Sequence, residues 1–172
     1  MVEQEEMMTG AARHMDLEKK FNEADALLDA GHHREAFRLF HEAARAGHRA
    51  SWLNLGYCFD AGRGVRRSRE RALFWYRKAA SKGDGSGANN IGTVYRDEGR
   101  PRLAARWFRK AVLLGATDSL LDLAKLYLGP LDDLAKARSA LTRVARAKNV
   151  SEDTREQAEA LLARVQPRSS RR

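Results

Sequence analysis

The feature that most constrains this chain of 172 residues is a position that recurs at nearly constant intervals. Ala43, Ala79, Ala111 and Val144 follow one another at steps of 36, 32 and 33 residues. In each case an aromatic residue or leucine lies three residues earlier and an alanine lies seven residues earlier. Residues spaced i, i+4 and i+7 share one side of an α-helix. Because self-similarity at a fixed period is the signature of repeat architectures, the spacing predicts repeated helical units.

A second recurring set precedes each of these stripes. Gly56, Gly92 and Ala124 each follow a large apolar residue and precede an aromatic residue by three positions. Two helices approach closely where one of them lacks a bulky side chain, so we expect contacts between paired helices at these positions. The predicted core comprises Ala24, Leu27, Ala36, Phe40, Ala43, Trp52, Leu55, Phe59, Ala72, Tyr76, Ala79, Ala88, Ile91, Tyr95, Ala104, Phe108, Ala111, Leu120, Leu123, Tyr127, Ala137, Leu141 and Val144.

Glycines and capping residues divide the chain into helices. The predicted helices cover residues 16–30, 33–46, 50–61, 68–82, 86–98, 101–114, 117–128 and 131–147. We therefore predict an all-α, right-handed superhelical solenoid of about 3.5–4 helix-turn-helix repeats, since one helix pair cannot bury its apolar stripe without a neighbour. Residues 1–15 are expected to be flexible, residues 16–148 form the repeat domain, and residues 167–172 form a basic disordered tail.

Residues 149–166 are predicted to form a capping helix. Ala158, Leu161, Leu162 and Val165 share one side of this segment, and charged residues cover the other side. A terminal helix with this pattern hides the apolar end of a repeat stack from water.

The run from Leu55 to Asp84 resembles the Sel1-like repeat family, a relative of the tetratricopeptide repeats. The resemblance rests on Leu55-Gly56, the turn Gly62-Arg63-Gly64-Val65, the helical run 72–80 and the closing Gly83-Asp84. Residues 86–116 lack the glycine turn and are more similar to a plain tetratricopeptide repeat, and residues 117–148 are looser still. The resemblance covers about residues 20–148. It implies an adaptor or scaffold that assembles protein complexes, and it transfers no catalytic residues.

Composition and hydropathy indicate the cellular compartment in which the protein is expected. No apolar stretch approaches the length of a membrane span, so we expect no membrane association. Residues 1–20 lack a basic start followed by an apolar segment, and we therefore expect no secretory signal. Cys58 is the only cysteine, which excludes an internal disulfide and makes the reducing cytoplasm the expected location.

We find no residue pattern that predicts catalysis, a metal or a cofactor. The five histidines, His14, His32, His33, His41 and His48, lack the i, i+4 pairing with a carboxylate of a helical zinc site, and we expect them to be solvated or capping. The glycines at 62–65 are expected to form a turn, and residues 83–90 a turn between repeats that leads into the next helix, because a phosphate-binding fingerprint needs a preceding strand. Cys58 is expected to be buried and inert. No nucleophile, base and orienting group can be combined, so the chain is not expected to be an enzyme.

A protein or peptide partner is expected in the concave groove, which the first helices of the pairs line in this type of fold. The side of each first helix opposite the core supplies the predicted contacts: Leu53, Tyr57, Asp60, Asn89, Thr93, Arg96, Leu121 and Lys125. Tyr57 is the expected aromatic anchor. Arg96 and Lys125 could hold a carboxylate, so a partner of acidic character is expected. Binding could regulate or inhibit that partner.

The charge distribution supports an alternative function. Residues 1–30 carry 3 basic and 8 acidic side chains, whereas residues 31–116 carry 18 basic and 7 acidic ones. The densest basic patch contains Arg63, Arg66, Arg67, Arg69 and Arg71, away from the predicted groove. Such a patch could bind nucleic acid, with help from the basic tail. The competing interpretation is compositional, because 24 of the 32 basic residues are arginine and exposed arginines are commonly solvated.

Overall fold

The computed structural model describes the backbone of residues 2–165 and the side chains of residues 10–165. Within that range the chain forms nine helices and no strand. The helices are α1 (Val2–Asp29), α2 (His33–Arg45), α3 (Arg49–Ala61), α4 (Arg69–Ser81), α5 (Gly85–Asp97), α6 (Pro101–Leu113), α7 (Ser119–Leu128), α8 (Leu134–Arg146) and α9 (Glu152–Val165). The prediction of an all-α chain of helix-turn-helix repeats is confirmed.

The chain divides into two compact units, Met1–Lys82 and Gly83–Arg172. The first unit contains α1 to α4, and each of these helices packs against the next one in chain order. Ser68 begins α4 by accepting a hydrogen bond from the main-chain N–H of Arg71 at 3.3 Å. This cap satisfies one of the main-chain donors that the first turn of a helix leaves unpaired.

α1 is longer than the sequence predicts. The expected helix begins at residue 16, whereas α1 begins at Val2 and includes most of the segment assigned to a flexible N-terminus. Glutamate, glutamine, methionine and alanine in this segment favour the helix. Once α2 has stabilised the C-terminal part of α1, adding further turns to an existing helix costs little.

The second unit contains α5 to α9, and successive helices again pack against each other. Asp84 caps α5 by accepting hydrogen bonds from the main-chain N–H groups of Ser86 and Gly87. Pro101 occupies the first turn of α6, as the sequence predicts. The expected helix 131–147 begins later, at Leu134, because Asp133 caps α8.

The close contacts predicted at small residues are confirmed in both units. A Cβ added at Gly56 would lie 2.5 Å from Cε1 of Tyr76, within the first unit. A Cβ added at Gly92 would lie 2.6 Å from Cδ1 of Phe108, within the second unit. These positions are equivalent in the two repeats, and each packs an α-carbon against a buried ring.

The predicted core is buried almost in full. Of the residues named above, only Leu27 is half-buried, and the others expose at most 9% of their surface. The capping helix is confirmed as α9: Ala158 is buried in a cluster with Leu141 and Val144, and Leu161, Leu162 and Val165 pack against it. The predicted tail 167–172 lies outside the described residues.

Candidate functional site

The first unit has an open depression between its helix ends, with a volume of about 500 Å³. The depression is lined by residues from three places in the chain. These are the end of α1 (Leu28 and Asp29), the turn into α2 (Gly31 and His33), and α3 with the turn that follows it (Tyr57 and Arg63). Tyr57 exposes 42% of its surface even though its neighbours Gly56 and Cys58 are buried. The depression therefore presents an aromatic ring together with charged groups of both signs.

The glycine turn after α3 explains why Arg63 reaches this depression. Gly64 has a φ of +70°, and a Cβ at this position would lie 2.0 Å from the main-chain oxygen of His33. Only glycine permits both this conformation and this approach. The turn is thereby held against the start of α2, and Nη1 of Arg63 donates a hydrogen bond of 2.9 Å to Nε2 of His33. The sequence pattern predicts that Arg63 lies away from the groove, whereas in the structure Arg63 and Tyr57 line the same depression.

The other predicted contacts of the first unit lie along α3. Leu53 and Asp60 are half-buried. Nε of Arg67 donates to the main-chain oxygen of Asp60 at 2.6 Å, and its guanidinium lies 3.8 Å from the Asp60 carboxylate. Asp60 is thus partly occupied by its own chain, and Tyr57 remains the most exposed of the three predicted residues.

In the second unit the predicted contacts lie on α5 and α7. Asn89 and Thr93 are half-buried, and Oδ1 of Asn89 accepts a hydrogen bond of 2.8 Å from Ser119. Leu121 was predicted to line the groove, and that prediction is wrong. Its side chain exposes only 6% and belongs to the core cluster that α9 covers. α9 packs against α7 and α8. It therefore buries a side of α7 that the repeat pattern predicts to be exposed.

Arg96 and Lys125, the predicted carboxylate-binding residues, already have partners in their own unit. Arg96 lies 3.0 Å from Asp97 and 3.2 Å from Asp122, and Lys125 donates to Gln157 at 2.9 Å. Burial raises the pKa of the Asp122 carboxyl, while the nearby charges of Arg96 and Lys125 oppose that rise. These contacts join α5 to α7 and α7 to α9, so both cations contribute to contacts between neighbouring helices.

The basic patch is also partly engaged. Arg63 and Arg67 make the contacts described above, and the Arg71 guanidinium lies 5.6 Å from the centroid of the Phe59 ring. Arg66 is exposed and Arg69 is half-buried. Three of the five arginines therefore have partners within the chain, which supports a structural role for much of the patch.

The histidines were expected to be solvated or capping, and His48 is not solvated: it occupies the N-cap position of α3, without a capping hydrogen bond from its side chain. It exposes only 6%, its Nδ1 lies 2.8 Å from Oγ of Ser51, and its Nε2 lies 3.1 Å from Glu18. Its ring also packs 5.1 Å from the ring of Phe21, so it links α1 to the start of α3. No local sequence signal marks this contact, because Glu18 precedes His48 by 30 residues.

The structure agrees with the expectation that Cys58 is buried. Burial raises the pKa of its thiol to about 11, and the positive charge of Arg63 opposes part of this shift. A thiol with so high a pKa is a poor nucleophile at neutral pH. Among the residues that the structure describes, no cluster of three histidine, cysteine or acidic side chains could hold a metal ion. In the same residues, no helix has the length and apolarity that crossing a membrane requires.

The repeat geometry agrees with a match to a known family. Residues 33–48, 53–84 and 88–115 match the model of the Sel1 repeat. The matched segments cover α2, most of α3, all of α4, most of α5 and all of α6. No curated protein gives a significant match to the chain.

Solved structures share the fold. A Sel1 repeat protein from Oxalobacter formigenes is 24% identical, with a TM-score of 0.61 over 76% of this chain and 53% of that one. A tetratricopeptide repeat protein from Parabacteroides merdae is 18% identical, with a TM-score of 0.66 over 88% of this chain and 60% of that one. A protective antigen of uropathogenic Escherichia coli with an SLR fold is 23% identical, with a TM-score of 0.52 over 76% of this chain and 32% of that one. This chain thus spans 32% to 60% of the length of these proteins.

Proposed function

We propose that this chain, a member of the Sel1-like repeat family, is a cytoplasmic adaptor that binds a protein or peptide through the depression beside Tyr57. Sel1 and tetratricopeptide repeat proteins generally mediate protein–protein interactions. The observation that carries the proposal is the exposed Tyr57 ring in a depression of about 500 Å³ with charged groups on its rim. Aromatic residues in such settings dominate the energetics of many interfaces.

The lining of the depression indicates what the bound segment contains. Tyr57 and Leu28 offer apolar surface to an aliphatic or aromatic side chain. Arg63 uses one nitrogen to contact His33, and the remaining guanidinium donors are available to a carboxylate. We therefore propose a partner segment with an apolar side chain next to an acidic one. An adaptor of this kind inhibits its partner when the segment that it holds is needed for another contact.

A pair of matched substitutions tests this proposal. The partner is first isolated by affinity capture with the full-length protein, and binding is then measured with purified components. We expect Tyr57→Ala to weaken binding by about tenfold or more, the loss typical of an interface hot spot. Phe74→Ala removes an aromatic ring that is 59% exposed on α4, outside the depression, and should leave binding unchanged.

Circular dichroism must show the same helical content in both variants, because neither ring belongs to the core. If the Tyr57→Ala protein binds as tightly as the unchanged protein, the depression is not the binding site. A double variant that adds Arg96→Glu to Tyr57→Ala is less informative, because a glutamate at position 96 would face Asp97 and Asp122 and disturb the contact between α5 and α7.

Salt dependence separates this proposal from nucleic-acid binding by the Arg63–Arg71 patch. Steep weakening of nucleic-acid binding with added salt is the expected signature of phosphate contacts. We expect weak retention on heparin and on immobilised single-stranded DNA at physiological salt, since three of the five arginines contact their own chain.

A further inference from the structure

The second helices of the last two repeats enclose a groove in the second unit. α6 and α8 form its walls, and α7 forms its floor. Three depressions follow one another along it, with volumes of about 390, 350 and 190 Å³. The first and second share Arg102 and Leu131, and the second and third share Arg109, so the three are continuous. We call this surface the second-helix groove. It lies outside the predicted contact residues.

The walls of the second-helix groove are basic. α6 contains four basic residues and α8 contains four, and neither helix contains an acidic residue. Arg102 and Arg109 line the groove from α6, and Lys136 and Arg143 line it from α8. The one acidic residue among the lining side chains is Asp133, which accepts a hydrogen bond from Lys136. That bond lowers the pKa of the Asp133 carboxyl, so the pair is ionised at neutral pH.

Three of these cations have no carboxylate partner among the described residues. Within the described part of the chain, the structure gives Arg102, Arg109 and Arg143 no carboxylate at ion-pair distance. This differs from Arg96 and Lys125, which contact neighbouring helices. Unpaired guanidinium groups on two facing walls attract an anionic segment that can accept hydrogen bonds from both sides.

One end of the groove is apolar as well as basic. Val112, Leu113, Leu120 and Leu123 line the third depression, between Arg109 and Arg143. Leu113 exposes 85% of its surface, the largest exposure among the large apolar side chains described. Val112 beside it is half-buried, whereas Leu120 and Leu123 are buried and form the base of the depression. The exposed leucine next to Val112 fits an aliphatic side chain of a partner better than it fits a phosphate.

The aromatic residues of the groove argue against nucleic acid. Single-stranded nucleic acid binds where bases can stack on exposed rings. Tyr127 is the aromatic residue that lines the groove, it exposes only 8%, and the Lys136 ammonium lies 5.7 Å from its ring centroid. The ring is therefore not available for stacking.

We propose that the second-helix groove binds an acidic segment of a partner protein, with carboxylates on Arg102, Arg109 and Arg143 and an aliphatic side chain beside Leu113. α6 is 13 residues long, or about 20 Å. A groove of this length holds about three to four turns of helix. This surface shares no residue with the depression beside Tyr57, so each proposal can be tested without the other.

Selection from random peptides tests the chemistry of the occupant without assuming its identity. Phage-displayed peptides of about 12 residues match the groove length as helices. They are selected on the Tyr57→Ala protein, so that peptides that bind beside Tyr57 do not dominate the selection. We expect enriched sequences to combine several aspartates or glutamates with leucine, isoleucine or phenylalanine. Enrichment of neutral or basic peptides, or no enrichment, would overturn the proposal.

Matched variants then place the enriched peptide in the groove. Fluorescence anisotropy with the synthetic peptide should show binding weakened about tenfold or more by Arg109→Glu and by Arg143→Glu, which come from opposite walls. Arg106→Glu makes the same charge change at an exposed position of α6 outside the three depressions, and it should change affinity by less than about twofold. Equal effects of Arg106→Glu and Arg109→Glu would mean that only net charge matters, which contradicts a built groove.

Two further measurements address other occupants. Labelled oligothymidylate should bind more weakly than the peptide, and tighter binding that depends on Arg109 would replace the proposal with a nucleic-acid surface. Sedimentation equilibrium should show no dimer that Arg109→Glu dissociates, because such a dimer would identify a second copy of the chain as the occupant.

Discussion

Gly92→Ala in α5 is the substitution whose effect the packing determines most directly. The added Cβ would lie 2.6 Å from both Cδ1 and Cε1 of Phe108, whose side chain is fully buried in α6. Overpacking a core contact costs about 1–3 kcal/mol. Alanine also favours the helix over glycine by about 1 kcal/mol. The difference between the steric cost and the helix preference predicts a net destabilisation of about 0–2 kcal/mol. The single variant therefore does not distinguish these two contributions.

A double-mutant cycle with Phe108→Leu separates them. The leucine tip can rotate away from position 92, so in this background the steric cost should fall and the helix preference should remain. Gly92→Ala should then stabilise the protein by up to about 1 kcal/mol, which gives a coupling energy of about 1–3 kcal/mol. Urea unfolding followed by circular dichroism measures each corner of the cycle.

Gly10→Ala in α1 is the matched control, because a Cβ there would meet no atom within 4 Å. It should not destabilise the protein in either background. A coupling energy below about 0.5 kcal/mol between positions 92 and 108, the level at which independent sites add, would refute the reasoning that glycine is required there by the ring.

Three further outcomes follow from individual contacts. Because burial raises the pKa of Cys58 to about 11, a thiol reagent should modify it at neutral pH only when urea unfolds the chain, and rapid modification of the folded protein would contradict its burial. Carbon-detected NMR should show a pKa for Asp122 above the ordinary value of 3.8, and Arg96→Ala should raise it further because a stabilising positive charge is lost; a lower pKa in the variant would show that Arg96 does not act on this carboxyl. His48→Ala should destabilise the protein by about 1–3 kcal/mol, since the Ser51 hydroxyl is buried and loses its partner; an unchanged midpoint of urea unfolding would mean that water satisfies Ser51.

Asp122 also makes stability depend on pH in a defined direction. Its folded-state pKa is raised, so the folded chain binds the proton more tightly than the unfolded chain does. Its contribution to stability is therefore present below the unfolded pKa and is lost as the pH rises through the folded value. Asp122→Asn should flatten this part of the pH profile of urea unfolding. A profile with the same slope in the variant would assign the effect to other groups.

The repeating pattern of alanines, glycines and aromatic residues determined the helices and the core. Each repeat supplies the same local signal, because a helix that must bury one side shows it at i, i+4 and i+7. For this reason the close helix contacts at Gly56 and Gly92 could be predicted from their spacing alone, and the capping role of residues 158–165 followed from the same periodicity.

Surface contacts were decided by tertiary structure. Leu121 is apolar on the predicted groove side of α7, and only the packing of α9 shows that it is core. Arg96, Lys125 and His48 each have one partner on another helix, 26 to 32 residues away in the sequence. Local periodicity carries no information over that distance. The second-helix groove likewise depends on three helices that meet in space.

The sequence by itself thus determined most of the residues that leave water, because hydrophobic burial follows a helical period that can be read locally in the chain. The tertiary structure decided which of the remaining polar and charged residues are free to bind something else. Arg63 reaches Tyr57 because the turn at Gly64 packs against His33. Among the described residues Arg109 has no ion-pair partner, because α8 contains no acidic residue and Asp133, which lines the same depression, is paired with Lys136.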